Sequence, residues 1–181
     1  MLEKPFLTDI RTLRTRTRQH IDEGAARAGY SAHRETVLKL LHVSLATEMA
    51  CVVRYQRYHA LTLKQGNHAA DGAVAFAGYA EEEQAHADQI ADRIVELGGE
   101  PDLTPEGLMS RNGTGHATYE SFVDMLKEDM IAECITIDNY RDIIAYLSNH
   151  DPRTCGMMAE ILLAEEKHAA EIAALLEAIP A

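Results

Sequence analysis

The sequence predicts an all-α protein: an antiparallel four-helix bundle with one long middle connection and a short N-terminal extension. Three observations carry this. Four long stretches hold little or no Gly and Pro, while those residues cluster between them. None of the four shows the two-residue alternation of a strand. Each repeats apolar residues at three- and four-residue spacing, the signature of one buried helix face.

Taken in order, residues 1–30 precede the bundle and read as a short extra helix plus a linker. Residues 31–63 contain neither Gly nor Pro, and Ser31 is a candidate N-cap. Residues 68–97 contain only Gly72 and Gly78, and "LGGEPDLTPEG" (97–107) ends that helix. The connection then runs on through "RNGTGHAT" (111–118). Residues 118–149 again lack both breakers, and residues 153–179 contain only Gly156. Asp151 followed by Pro152 makes an N-cap and first-turn pair for the last helix. Helices of this length run about 40–50 Å. Residues 31–181 thus form one bundle domain behind the extension at 1–30.

Bulk properties narrow the functional classes. The chain has 181 residues, 46% of them apolar and 25% charged, with a net charge of −12. That acidity argues against a nucleic-acid-wrapping surface and suits a protein that handles cations. No uninterrupted run of about 18 apolar residues occurs, so no transmembrane helix and no membrane partner are expected. The N-terminus lacks the apolar core of a secretory signal. Cys51, Cys134 and Cys155 form no CxxC pair and no disulfide framework, which points to the reducing cytoplasm.

The stripes themselves carry the chemistry. They read Leu38, Leu41, Leu45, Glu48, Val52, Tyr55 in the first helix and Phe76, Tyr79, Glu83, His86, Ile90, Ile94, Leu97 in the second. The third gives Phe122, Leu126, Met130, Glu133, Ile137, Tyr140, Ile144, Leu147, and the fourth Met158, Ile161, Glu165, His168, Ile172, Leu175. Every stripe is broken by a glutamate near its midpoint, and two of these belong to Glu-x-x-His-Ala-x-x-Ile, at 83–90 and 165–172. Glu81, Glu82 and Glu166 fall on other faces and are expected in solvent. No Lys or Arg lies on the stripes beside this layer.

Four carboxylates buried together would repel one another and lose hydration. Two divalent cations would neutralise them, and two neutral imidazoles would add nitrogen donors. Glu-x-x-His sets both side chains one turn apart on one face. One Glu from each of two helices plus Glu-x-x-His from the other two is the donor set of carboxylate-bridged di-iron and di-manganese bundles. The separations match too: Glu48 to Glu83 spans 35 residues and Glu133 to Glu165 spans 32, so the chain looks like two copies of one helical hairpin.

The stretches "LHVSLATEMACVVRYQRYH", "YAEEEQAHADQIADRIVELGGEP", "LKEDMIAECITIDNYRDIIAYL" and "MMAEILLAEEKHAAEI" resemble the four core helices of bacterioferritins, within the ferritin-like di-iron carboxylate family, over residues 31–178. The resemblance implies that Glu48, Glu83, His86, Glu133, Glu165 and His168 are ferroxidase ligands of two iron ions, with Glu83 and Glu165 bridging. Manganese or zinc would be substitutes. Tyr55 matches a tyrosine beside that centre, and its alternative is a core tyrosine with a satisfied hydroxyl. The methionine that binds haem in bacterioferritins is replaced by Gln84, so haem is not expected.

The implied activity is Fe²⁺ oxidation by O₂ or H₂O₂ for iron storage and detoxification, in a homo-oligomeric shell of 12 or 24 subunits. The chain ends just after the fourth helix, where 24-subunit ferritins carry a fifth. A Dps-like subgroup resembles bacterioferritin in its intrasubunit site, forms the smaller shell and has cysteines near the metals, as Cys51 and Cys134 would be here. The alternatives are a rubrerythrin- or manganese-catalase-like peroxidase, and DNA protection through the arginines of "RTLRTRTR" (11–18). That run reads more simply as a solvated helix face. His59 is a weak candidate for an extra metal contact.

Overall fold

The computed structural model describes residues 28–65, 70–111 and 121–179. The extension, with its arginine run at 11–18, lies outside the described residues apart from 28–30. The chain divides into two compact units, 1–36 and 37–181. In the first, the described residues 28–36 are helical.

Helix α1 covers Ala28–Thr62 and is followed by a 3₁₀ turn, Leu63–Gln65. Ser31 lies inside α1, so it does not cap it. Helix α2 covers Ala70–Glu96 and ends where Gly98 adopts φ +70°, while Gly99 N–H bonds the Ile94 carbonyl. The crossover holds a short helix α3, Pro105–Arg111, which the Gly- and Pro-rich composition concealed. Helix α4 covers Phe122–Leu147 and helix α5 Pro152–Ala178.

Ser121 caps α4, accepting from Asp124 N–H and donating to the Asp124 carboxylate. The expected Asp151 cap is present on α5, accepting from Thr154 N–H at 3.1 Å. It also does more than cap. Arg93 of α2 donates to Asp151 at 2.8 Å and to Thr154 at 2.8 Å, all three largely buried, tying α2 to the start of α5. Asp151→Ala removes the cap and leaves a buried guanidinium short of its partner. It is expected to cost about 2–4 kcal/mol, read by denaturant unfolding.

Two apolar clusters build the core, one on each side of the mid-bundle layer. Leu41 and Leu45 of α1 meet Ile90 and Ile94 of α2, Leu147 of α4 and Met158 of α5 in one. Tyr55 and Tyr58 of α1 meet Phe76 of α2, Leu126 of α4 and Ile172 of α5 in the other. This grouping fixes direction. The ends of α2 and α4 share a cluster with the beginnings of α1 and α5, so α1/α2 and α4/α5 are antiparallel hairpins while α2 and α4 run parallel. The connection between them must therefore travel the length of the bundle, which is why it is long.

His33–Thr62 of α1 is, by length and composition alone, long and apolar enough to cross a membrane. Glu48 and Arg54 interrupt the stretch, so it holds no unbroken apolar run of that length. Its apolar content includes the buried stripe Leu41, Leu45, Val52 and Tyr55, which the other helices cover.

Candidate metal centre

Between the two clusters lie all six predicted donors, each buried: Glu48, Glu83, His86, Glu133, Glu165 and His168. Helical periodicity puts them there, since each continues a stripe that must face inward to bury its leucines and isoleucines. The donor atoms form two groups, each within 4.8 Å: Glu48, Glu83, His86 and Glu165, and Glu83, Glu133, Glu165 and His168. Glu83 and Glu165 belong to both groups. Each group draws on both hairpins.

Contacts within the layer are close but not aligned as hydrogen bonds. His86 Nδ1 lies 3.3 Å from Glu48 Oε2, 3.3 Å from Glu165 Oε1 and 3.6 Å from Glu83 Oε2. His168 Nδ1 lies 3.2 Å from Glu83 Oε1 and 3.8 Å from Glu165 Oε2. Both Nδ1 atoms, both oxygens of Glu83 and Glu165, and one oxygen each of Glu48 and Glu133 are buried without a hydrogen-bond partner. Buried polar atoms without partners are costly, so so many converging on one layer mark a place built for a bound group. Hard carboxylate oxygens with two imidazole nitrogens suit a pair of divalent first-row metals. The cluster is consistent with a two-metal site.

Protons alone can also hold this cluster together, and the electrostatics show how. Burial, reinforced by Glu83, raises the Glu48 carboxyl well above its ordinary range. Burial and the neighbouring Glu165 push Glu133 up to about 9. Burial also works against ionised Glu83, yet contacts from Glu48 and the two histidines outweigh it and lower Glu83 to about 2. Burial opposes charged imidazoles as well, but the surrounding carboxylates drive His86 up to about 12 and His168 up to about 11.

Tyrosines brace the layer symmetrically. Tyr55 of α1 donates to Glu133 of α4, and Tyr140 of α4 donates to Glu48 of α1. Each tyrosine lies seven residues beyond its own helix's glutamate and holds the glutamate of the other hairpin. Tyr55 was expected beside the site, whereas Tyr140 was read only as core. The repeated Glu-x₆-Tyr spacing was the signal for it.

Two further groups escaped the sequence reading. Asp129, one turn before Glu133, is fully buried, and Arg54 Nη1 lies 3.5 Å from its Oδ1. Burial lifts Asp129 to about 7 despite the opposing Arg54. No Lys or Arg lies on the stripes themselves, but Arg54 reaches inward from beside its stripe to Asp129. Glu82 also departs from expectation. It is partly exposed, but its Oε2 lies 3.1 Å from His168 Nε2, because its side chain is long enough to bend around α2 toward α5. Glu81 is exposed, and Glu166 pairs outside with Arg141 at 2.7 Å.

The remaining candidates are not among these donors, although Cys51 lies near enough that, after burial, Glu83, Glu133 and Glu48 raise its thiol further. His59 Nδ1 is 2.7 Å from the Ala73 carbonyl. Gln84 is exposed and its amide donates to Asp88. Cys51 is buried, Cys134 exposed and Cys155 half-buried, none of them in a disulfide.

Comparison with known proteins agrees with this geometry. The Ferritin family profile, a ferritin-like domain, matches residues 38–181. Among solved structures, the bacterioferritin-related protein of Bacteroides fragilis, a dodecameric thioferritin, is 28% identical with a TM-score of 0.73, over 80% of this chain and 86% of that one. The Dps homologue of the archaeon Halobacterium salinarum is 24% identical with a TM-score of 0.76, over 83% and 84%. The Desulfovibrio desulfuricans bacterioferritin, which has a diiron site, is 22% identical with a TM-score of 0.72, over 82% of each chain. The last two likenesses speak to the fold alone. With four helices meeting in a Glu/His layer and a family match over most of its length, the chain belongs to the ferritin-like domain family.

Proposed function

We propose that this chain is a ferroxidase of the bacterioferritin-like type, oxidising Fe²⁺ at an intrasubunit two-iron centre for iron storage and detoxification. The observation that carries the reading is the pair of four-donor groups sharing Glu83 and Glu165. Glu48 and His86 would serve one iron, Glu133 and His168 the other, with Glu83 and Glu165 between them. Bound iron supplies the electrons, one from each ion; overall, 2 Fe²⁺ + H₂O₂ + 2 H⁺ gives 2 Fe³⁺ + 2 H₂O, or O₂ + 2 H⁺ is reduced to H₂O₂. The protein supplies a fixed carboxylate-rich shell that favours the higher charge. Tyr55 and Tyr140 orient the terminal glutamates, and the flanking apolar clusters keep bulk water from the layer.

A cytoplasmic homo-oligomeric shell of 12 or 24 subunits goes with this reading. The dodecameric assembly named for the Bacteroides fragilis protein favours 12. Exposed Val53, Ile131, Ile135 and Leu163 offer apolar surface for contacts between copies. Anaerobic Fe²⁺ titration followed by O₂ or H₂O₂ tests the proposal. Two ions per chain, and ferric absorbance growing at the same pace as oxidant is consumed, are expected. Oxidation no faster than in buffer, or rapid H₂O₂ disproportionation by a manganese-loaded form alone, would refute it in favour of a catalase-like activity.

A further inference from the structure

The two histidines of the layer are not held alike. His168 is fully buried, with Nδ1 turned to Glu83 and Glu165 and Nε2 3.1 Å from the Glu82 carboxylate. Glu82 is itself anchored from outside, with Lys167 Nζ 3.3 and 3.4 Å from its two oxygens. The ring of Tyr79 lies 4.6 Å from the His168 ring, and the Tyr79 hydroxyl donates to Glu171 at 2.9 Å. His86, by contrast, makes its contacts with Glu48, Glu83 and Glu165 all through Nδ1. Among the described residues no carboxylate faces its other nitrogen.

A carboxylate accepting the outer N–H of a metal-bound imidazole fixes the tautomer, stops ring rotation and makes the inner nitrogen more basic. We propose that Glu82 is a positioning residue for His168, and that it makes the two metal positions unequal. The position bounded by Glu83, Glu133, Glu165 and His168 then holds its cation more tightly than the one bounded by Glu48 and His86. This rests on the two-metal reading above. It identifies which ligand set fills first, and it gives a role to a residue that touches no donor group except through His168.

Anaerobic Co²⁺ titration of the full chain, followed by visible absorption, tests it without turnover. The wild type is expected to fill in two resolved steps with distinct spectra. Glu82→Ala should weaken the first step by about 10- to 100-fold and leave the second unchanged, so that the steps merge. Glu82→Gln, which keeps an acceptor but loses the charge, should fall between. Glu81→Gln, an exposed change, should match the wild type. A single two-ion step in the wild type, unchanged steps in both Glu82 variants, or equal weakening of both steps would overturn the inference. Failure of the wild type to take up two Co²⁺ ions would overturn the two-metal reading itself. Unfolding of the cobalt-free variants monitors a purely structural effect, which would not act on one step selectively.

Discussion

Glu165→Ala is expected to abolish uptake of both cations and to slow Fe²⁺ oxidation by more than about 100-fold. Glu165 is fully buried and belongs to both donor groups, so its loss opens both positions at once. Loss of a residue that merely orients a ligand costs about 10- to 100-fold in metal affinity or activity, and a shared ligand should cost more. Glu48→Ala is the informative companion. Glu48 belongs to one group only, so that variant should keep one cation per chain while losing two-electron turnover. Metal analysis after gel filtration, together with stopped-flow ferric absorbance, reads both. Two cations retained in Glu165→Ala would remove the basis for treating Glu165 as a bridge.

Cation binding is expected to stabilise the fold more as pH rises from about 5.5 to about 8, widening the gap in Tm between Co²⁺-loaded and chelator-treated protein. The sign follows from the direction of each shift. His86 at about 12, His168 at about 11 and Glu133 at about 9 all lie above their ordinary values, and Glu48 is raised too. Stability from such groups is complete below the ordinary values, about 4.3 for Glu and about 6.5 for His, and is lost as pH climbs toward the raised ones. Glu83 is the opposite case: at about 2, its contribution is present above the ordinary Glu value and is lost only in strong acid. The chelated protein therefore weakens as pH rises through this window. Over the same window the cation competes with fewer protons. His86, His168 and Glu133 all sit above neutrality, so loading two divalent ions there should release at least about three protons. Calorimetry in buffers of differing ionisation enthalpy measures that number. A constant or narrowing Tm gap would contradict the assignment of these protons to the ligands.

Much of this was legible in the sequence because helical bundles are written in periodicity. Burying Leu45, Ile90, Ile137 and Ile161 forces Glu48, Glu83, Glu133 and Glu165 inward on the same stripes. Asp151–Pro152 announced the start of α5. Periodicity reports faces, however, and not reach. Glu82 lies off the stripe by backbone angle, yet its side chain arrives at His168 from the flank. Arg54 meets Asp129 in the same way from beside Tyr55. The cross-hairpin tyrosine pairs depend on which helices are neighbours, which no single helix encodes. The short helix Pro105–Arg111 sits in a segment whose Pro and Gly content masks one turn or two of helix.

The interlocking of the two hairpins has a consequence during biosynthesis. The ribosome delivers Glu48, Glu83 and His86 well before Glu165 and His168, yet both donor groups need Glu165, and Tyr140 must arrive before Glu48 is braced. A nascent chain carrying only the first hairpin offers Glu48, Glu83 and His86 without Glu165 or His168. On the two-metal reading, a translation product truncated before residue 165 lacks a carboxylate common to both donor groups and so can complete neither of them.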